Sequence, residues 1–336
     1  GTPDKHFDTV LYAGDSKDGG IGGLNFQPDL VWIKGRDYVD NHQLFDSVRG
    51  VGKTIWSSSS AVETTNSEYG YLDEFAADGF SIKGGTNSDA HYAVKYTDKE
   101  YVAWCWKAGN DTTQNYDGTI QSTVSVNQDA GFSIVSYTGI GSNTNTGHGL
   151  NSIPECIMFK AIDDVYNWEV YHHKTGATPH QATLILNTDA TTRNVLHEAV
   201  TATTLPVTHT YTGGSASGKR MIAYCWHSVE GYSKFGSYKA NGSADGPFVY
   251  LGFKPALIII KSVAGSTNWM MWDNKRSTYN PTSTILRSNT TAVENTGTWK
   301  IDMVSNGFKI RTASSDHINN NQTHIYMAWA EMPFKY

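Results

Sequence analysis

P-D-L-V-W-I-K (Pro28 to Lys34), P-E-C-I-M-F-K (Pro154 to Lys160) and P-A-L-I-I-I-K (Pro255 to Lys261) are three versions of one phrase. Each is an apolar run between a residue that cannot donate to a strand ladder and a lysine. Seven residues past the lysine stands Asn41, Asn167 or Asn268; four further comes an aromatic, Phe45, Tyr171 or Trp272, followed at once by Asp46, His172 or Asp273. No insertion interrupts this spacing in any copy. Self-similarity at a spacing of about a hundred residues means one folding unit used three times. The apolar runs are nearly continuous, which predicts strands covered on both faces.

Working outward, each unit opens on a strand with Tyr-x-Gly or a near variant: V-L-Y-A-G (Tyr12), I-V-S-Y-T-G (Tyr137) and F-G-S-Y-K-A-N-G (Tyr238). Downstream lie T-I-W-S (54–57), A-T-L-I-L-N (182–187) and T-I-L-R (284–287). Asp78-Gly79 and Asn306-Gly307 precede apolar strands and signal hairpins. Each unit closes on an aromatic strand: Y-V-A-W-C-W, M-I-A-Y-C-W or Y-M-A-W-A. That makes about seven short strands per unit, with no convincing helix. The expectation is an all-β chain of three tandem β-sandwich repeats, jelly-roll or lectin-like, at 7–109, 131–231 and 235–336, each with its own core. Residues 110–130 form a linker whose T-V-S-V is available to a neighbouring sheet.

Matching the closing strands by their letters sets Ala330 opposite Cys105 and Cys225. A place that accepts Cys or Ala is a small buried slot, not half of a disulfide. All three cysteines, Cys156 included, are expected to be reduced, which fits assembly inside a cell.

Composition narrows the function. Charged residues are few (17%), aromatics reach 12%, and the net charge is −6 without a Lys/Arg cluster. Nucleic-acid affinity rests on phosphate neutralisation, so that partner is not expected. No run of about 18 apolar residues exists, so no membrane insertion is expected.

The repeated Lys and Asp/His positions are expected to be strand ends, with the lysine leaving the core and the aspartate capping a turn. The repeated asparagines are expected in left-handed or Asx turns. Asp15-Ser-Lys-Asp18, Asp163-Asp164 and His172-His173 lack calcium-loop or zinc spacing, so no metal or other cofactor is expected. Catalytic motifs with a nucleophile elbow, a zinc helix or a phosphate-cradling loop are absent from the sequence, so no catalytic residue is assigned. What remains are aromatics beside polar neighbours, which suit sugar rings. Tyr38 and Tyr166 follow the repeated lysines, His173 follows the aromatic strand of the second copy, and Tyr279 lies beyond that of the third. These four are the candidate glycan-binding residues.

Several stretches also resemble a known family: F-Q-P-D-L-V-W-I-K-G-R (26–36), D-S-V-R-G (46–50), Y-V-A-W-C-W-K-A-G (101–109), N-Q-D-A-G-F-S-I-V-S-Y-T-G (127–139), G-H-G-L (147–150), W-E-V-Y-H (168–172), the run from Phe235 to Pro255, and the closing F-K-Y. The chain, from about Lys5 to Tyr336, is similar to virion-appendage proteins of tailed, mostly marine, phages, of the tail-fibre or receptor-binding kind. The resemblance implies a non-enzymatic virion protein that attaches to a host cell-surface glycan. It also implies contacts with other virion proteins and a possible homotrimer in the particle. Two alternatives follow from the same resemblance: a polysaccharide depolymerase, and a purely structural fibre or decoration protein.

Overall fold

The computed structural model describes residues 2–176, 181–214, 217–313 and 317–331, so the closing F-K-Y lies outside it. Apart from a single 3-10 turn at Pro3–Lys5, every regular element described is a β-strand. In each copy an opening strand (Phe7–Ala13, Phe132–Ile140, Ser233–Lys239) pairs with the closing strand (Glu100–Trp106, Ser217–Trp226, Thr323–Ala330). The closing strand pairs with the Pro-to-Lys strand (Leu30–Gly35, Cys156–Ala161, Pro255–Ser262). Beyond it come the aromatic strand (Gln43–Asp46, Glu169–His172, Met270–Asp273) and a fourth (Lys53–Trp56, Ala182–Ile185, Thr282–Arg287). Pairing is antiparallel and the register repeats: Leu30 faces Trp106, Cys156 faces Trp226 and Leu257 faces Trp329.

Every residue of the three Pro-to-Lys strands is buried, because both faces of each sheet are covered. The inner faces of all three sheets contribute to one cluster that includes Trp32, Trp104 and Trp106, Trp168, Tyr224 and Trp226, and Trp269, Met327 and Trp329. At its centre Trp106, Trp226 and Trp329 form a triangle with ring centroids 6.2, 5.3 and 5.8 Å apart and planes 62–72° to one another. Edge-to-face rings at this range contribute about 0.5–1.5 kcal/mol a pair beyond their buried area. The three indole N–H groups are buried without an oxygen or nitrogen partner. The sheets are therefore arranged about a pseudo-threefold axis, and the expected separate cores are joined by a fourth that all three share.

Backbone carbonyls complete the ring. Trp168 donates its indole N–H to Trp56 O at 2.8 Å, Trp269 to Ile185 O at 2.9 Å, and His42 Nε2 meets Arg287 O at 2.8 Å. Each unit thus bonds to one neighbour from the same position of the repeat.

The outer faces pack against smaller layers: Gly19–Gly22, Tyr71–Ala76 and Gly79–Lys83 in the first unit, Thr144–Gly147 and Thr204–Val207 in the second. In the third, Phe248–Tyr250, Asn295–Val304 and Gly307–Ile310 continue the large sheet. Three further cores lie between these layers. The repeated tyrosine fastens the loop above each: Tyr12 donates to Val94 O (2.7 Å), Tyr238 to Ile318 O (2.8 Å) and Tyr137 to Thr212 O. A Cβ on Gly14 would sit 1.8 Å from Tyr96 O, and one on Gly139 would sit 1.7 Å from Gly213 O, so that loop is why Tyr-x-Gly recurs. Both expected hairpins form, with Ala76 opposite Gly79 and Val304 opposite Gly307.

The structure departs from the sequence reading in five places. The register makes Ala328, not Ala330, the counterpart of Cys105 and Cys225. A slip of two preserves the face, so the letters matched while the position did not. The cysteines themselves are free and buried in equivalent slots. Residues 110–130 are more than a linker: the expected T-V-S-V joins the second sheet within Ser122–Asn127, and Thr113–Asn115 adds a further strand beyond it. Lys34, Lys160 and Lys261 do not leave the core but are fully buried, their ammonium groups donating to Gly35 O, Ala161 O and Ser262 O at 2.6–2.8 Å. Burial lowers all three pKa values to about 8. Asp46 and Asp273 do cap turns, bonding the N–H groups of Arg49 and Arg276, but from buried positions and with those arginines' guanidinium groups as ion partners.

Finally, the repeated asparagines are not left-handed. Their side-chain oxygens accept bonds from Ser58, Asn187 and Asn289 at 2.7–2.8 Å, tying each turn to the loop after the fourth strand. A polar group with a repeated partner explains the repetition better than a backbone angle does.

Candidate functional site: an aromatic and carboxylate pocket on the first unit

The four residues singled out from sequence do not converge. Tyr38 is buried in the first unit's outer core, its hydroxyl bonded to Tyr92 O and Tyr101 OH, so it offers no surface to a ligand. Tyr166 is half-buried against the second unit's outer core. His173 lines a groove of about 770 Å³ between the second and third units, with Nε2 against Phe235 O at 2.8 Å. Tyr279, at 85% exposure, stands alone.

A different set does converge. A pocket of about 490 Å³ opens on the first unit between Asp40, Asn41, Gln43, Trp56, Tyr69 and Tyr92, with Ser67, Asp89 and Ala93 completing it. Asp40 and Asn41 lie in the turn before the aromatic strand and Trp56 ends the fourth strand. Asp89 and Tyr92 come from the loop before the closing strand, which Tyr12 holds through Val94 O and Tyr38 holds through Tyr92 O. Tyr38 is thus a support beneath the pocket.

The polar groups are set by direct bonds. Trp56 Nε1 donates to Gln43 Oε1 at 2.8 Å, and the Gln43 amide reaches Asn41 O at 3.2 Å and Asp40 Oδ2 at 3.4 Å. Tyr96 OH donates to Asp89 Oδ1 at 3.1 Å. Burial raises the Asp40 pKa to about 6 against the pull of the Asn41 N–H and the Lys34 charge. Tyr69 and Tyr92 meet edge to face at 6.3 Å, with Tyr69 40% exposed.

The rim is also fixed by both other units. Asp40 N–H donates to Thr291 O of the third at 3.0 Å, and Trp56 O accepts from Trp168 of the second. The pocket is therefore lined by the first unit and braced at its rim by the other two. Sequence reasoning missed it because its residues come from four separate segments. The available signals were Trp56, where the other copies have Ile185 and Arg287, and the tyrosine pair in H-Y-A-V-K-Y (91–96), which the other copies lack.

Among the described residues no group of three or more His, Cys, Asp or Glu side chains is placed to hold a metal ion. Among the described residues no helix is long and apolar enough to cross a membrane.

Residues 2–333 match the family model described as Domain of unknown function (DUF7483). The chain belongs to the DUF7483 family. Comparison with curated proteins and with solved structures gave no match. The match spans all three units, so this DUF7483 domain is the whole pseudo-threefold body rather than one repeat.

Proposed function

We propose that this DUF7483 protein is an exposed, non-enzymatic part of a phage virion, a tail-fibre or similar appendage, and that its first-unit pocket binds a host cell-surface glycan. The observation that carries the reading is the pocket itself. Trp56, Tyr69 and Tyr92 line it beside Asp40, Asn41 and Asp89, the combination of aromatic and polar groups that suits sugar C–H faces and hydroxyls. The sequence resemblance to phage appendage proteins supplies the context. The three copies are then tandem sandwiches of jelly-roll or lectin-like kind, contacting other virion proteins, with a homotrimer where the particle holds three chains together.

The test is adsorption. Purified protein should bind host cells and block phage attachment, and Trp56→Ala should lose at least tenfold in binding while staying folded by circular dichroism, since the bond from Trp168 to the Trp56 carbonyl is kept; a modest fall in melting temperature is expected from the lost N–H bond to Gln43. Protein that neither binds nor competes overturns the reading and leaves a structural fibre or decoration protein.

A second reading rests on two carboxylates sharing the pocket, one with a raised pKa, the environment glycosidases use to separate acid from base. It is a polysaccharide depolymerase. Shortening of host polysaccharide by wild type but not by Asp40→Asn would favour it over simple binding.

A further inference from the structure

We infer, resting on the glycan reading above, that the first-unit pocket takes neutral or amine-bearing sugar units and rejects acidic ones. Its lining carries two carboxylates, Asp40 and Asp89, and no lysine, arginine or histidine. Among the described residues neither carboxylate has an ion-pair partner. The cation acting on Asp40 is Lys34, which is fully buried with its ammonium donating to Gly35 O and Tyr38 O and does not reach the pocket surface. Lys99 lies over the Tyr38 ring, 5.8 Å from its centroid, and is not part of the lining.

The hydrogen-bonding capacity points the same way. The Trp56 N–H is occupied by Gln43, and the Gln43 amide by Asn41 O and Asp40. The donors left to the lining are uncharged, the Ser67, Tyr69 and Tyr92 hydroxyls and the Asn41 amide, while two carboxylates face the pocket as acceptors. A sugar hydroxyl or ammonium donates to them. A uronate or other acidic sugar brings a third negative charge into a half-buried site with no cation to meet it, and such like-charge contacts are how binding sites exclude wrong partners.

The test is calorimetric titration of the full chain with three oligosaccharides of equal length: a neutral glucose oligomer, a free-amine glucosamine oligomer and a galacturonate oligomer. Wild type should bind the first two and hold the galacturonate oligomer at least tenfold more weakly. Asp40→Asn with Asp89→Asn should narrow that gap to under threefold by gaining galacturonate affinity. A gain of function cannot come from misfolding, and an unchanged melting temperature checks the fold directly. Galacturonate binding as tight as neutral in wild type, or a gap unmoved by the double substitution, overturns the charge selection while leaving glycan binding standing. Binding to none of the three, in wild type and variant alike, removes the glycan reading on which the inference rests.

Discussion

The indole N–H of Trp104, on the first sheet, ends on the carboxylate of Asp273, on the third, at 3.1 Å. One step around the axis Tyr224 donates to Asp46 at 2.6 Å. Each aspartate also holds the arginine three residues on, Arg276 or Arg49. At the third junction the donor position is Met327, which has nothing to give, and opposite it stands His172 with Thr175 three residues on. His172 meets Tyr326 O at 3.1 Å instead. Donor, aspartate and arginine are kept together or replaced together, as expected where a buried carboxylate needs both partners.

His172→Asp should therefore destabilise the protein by several kcal/mol, because an unpaired buried charge is among the costliest changes available. Adding Thr175→Arg and Met327→Tyr should recover part of the loss. Chemical denaturation of the single and triple variants measures both, and a stable single variant would show that the junction admits water.

Trp272→Ala should cost about 3–5 kcal/mol. The ring is fully buried in the third unit's outer core and its N–H reaches Trp299 O at 3.3 Å. An unchanged melting temperature would contradict that burial.

The repeat was legible because its residues answer to local geometry: the Pro-to-Lys run, the tyrosine and the ungapped turn each satisfy the same contact three times. The inward pooling of the sheets was not, since an apolar run such as Leu257 to Ile260 shows that both faces are covered but not by what. Lys34 misled for a related reason. A lysine at the end of an apolar run reads as a charge reaching water, and only the carbonyls of Gly35 and Tyr38 show that it turns inward. The pocket depends on Asp40 and Trp56 being held by Thr291 and Trp168, contacts no spacing rule reaches.

The buried lysines predict an alkaline gain. Lys160 titrates at about 8 in the fold against 10.5 ordinarily, so between those values the unfolded chain binds more protons and stability rises with pH. The gain is complete above 10.5 and lost as pH falls toward 8. Lys160→Met removes this term, so the stability of the variant relative to wild type should fall by about 3 kcal/mol between pH 7 and 10.5. A pH-independent difference between the two proteins would refute it.

His42 predicts the acid side. Trp32 donates its indole N–H to His42 Nδ1 at 2.9 Å and Nε2 donates to Arg287 O, so the ring must be neutral, and burial holds its pKa well below 6.5. Burial lowers His172 to about 3. Both favour the fold above pH 6.5 and cease to do so as pH falls through their native values, so stability should drop by up to about 1.4 kcal/mol per pH unit per histidine below 6.5. Denaturation midpoints from pH 7 to pH 5 test this, with His172→Asn expected to flatten the slope.

In dilute solution the inner faces are already covered by one another, so light scattering at micromolar concentration should give the mass of one chain. A three-chain mass that survives dilution would place a large interface on the outer layers.

The tryptophan triangle has a consequence for how this protein can change. In a ring of three identical chains, any substitution appears on every face at once, and a new feature must be tolerated three times over. Here three faces are encoded separately around a common centre. The first can carry Trp56 where the second carries Ile185 and the third Arg287, and the second can take up two additional strands. The axis supplies rigidity once, and each face is left free to acquire a specificity of its own.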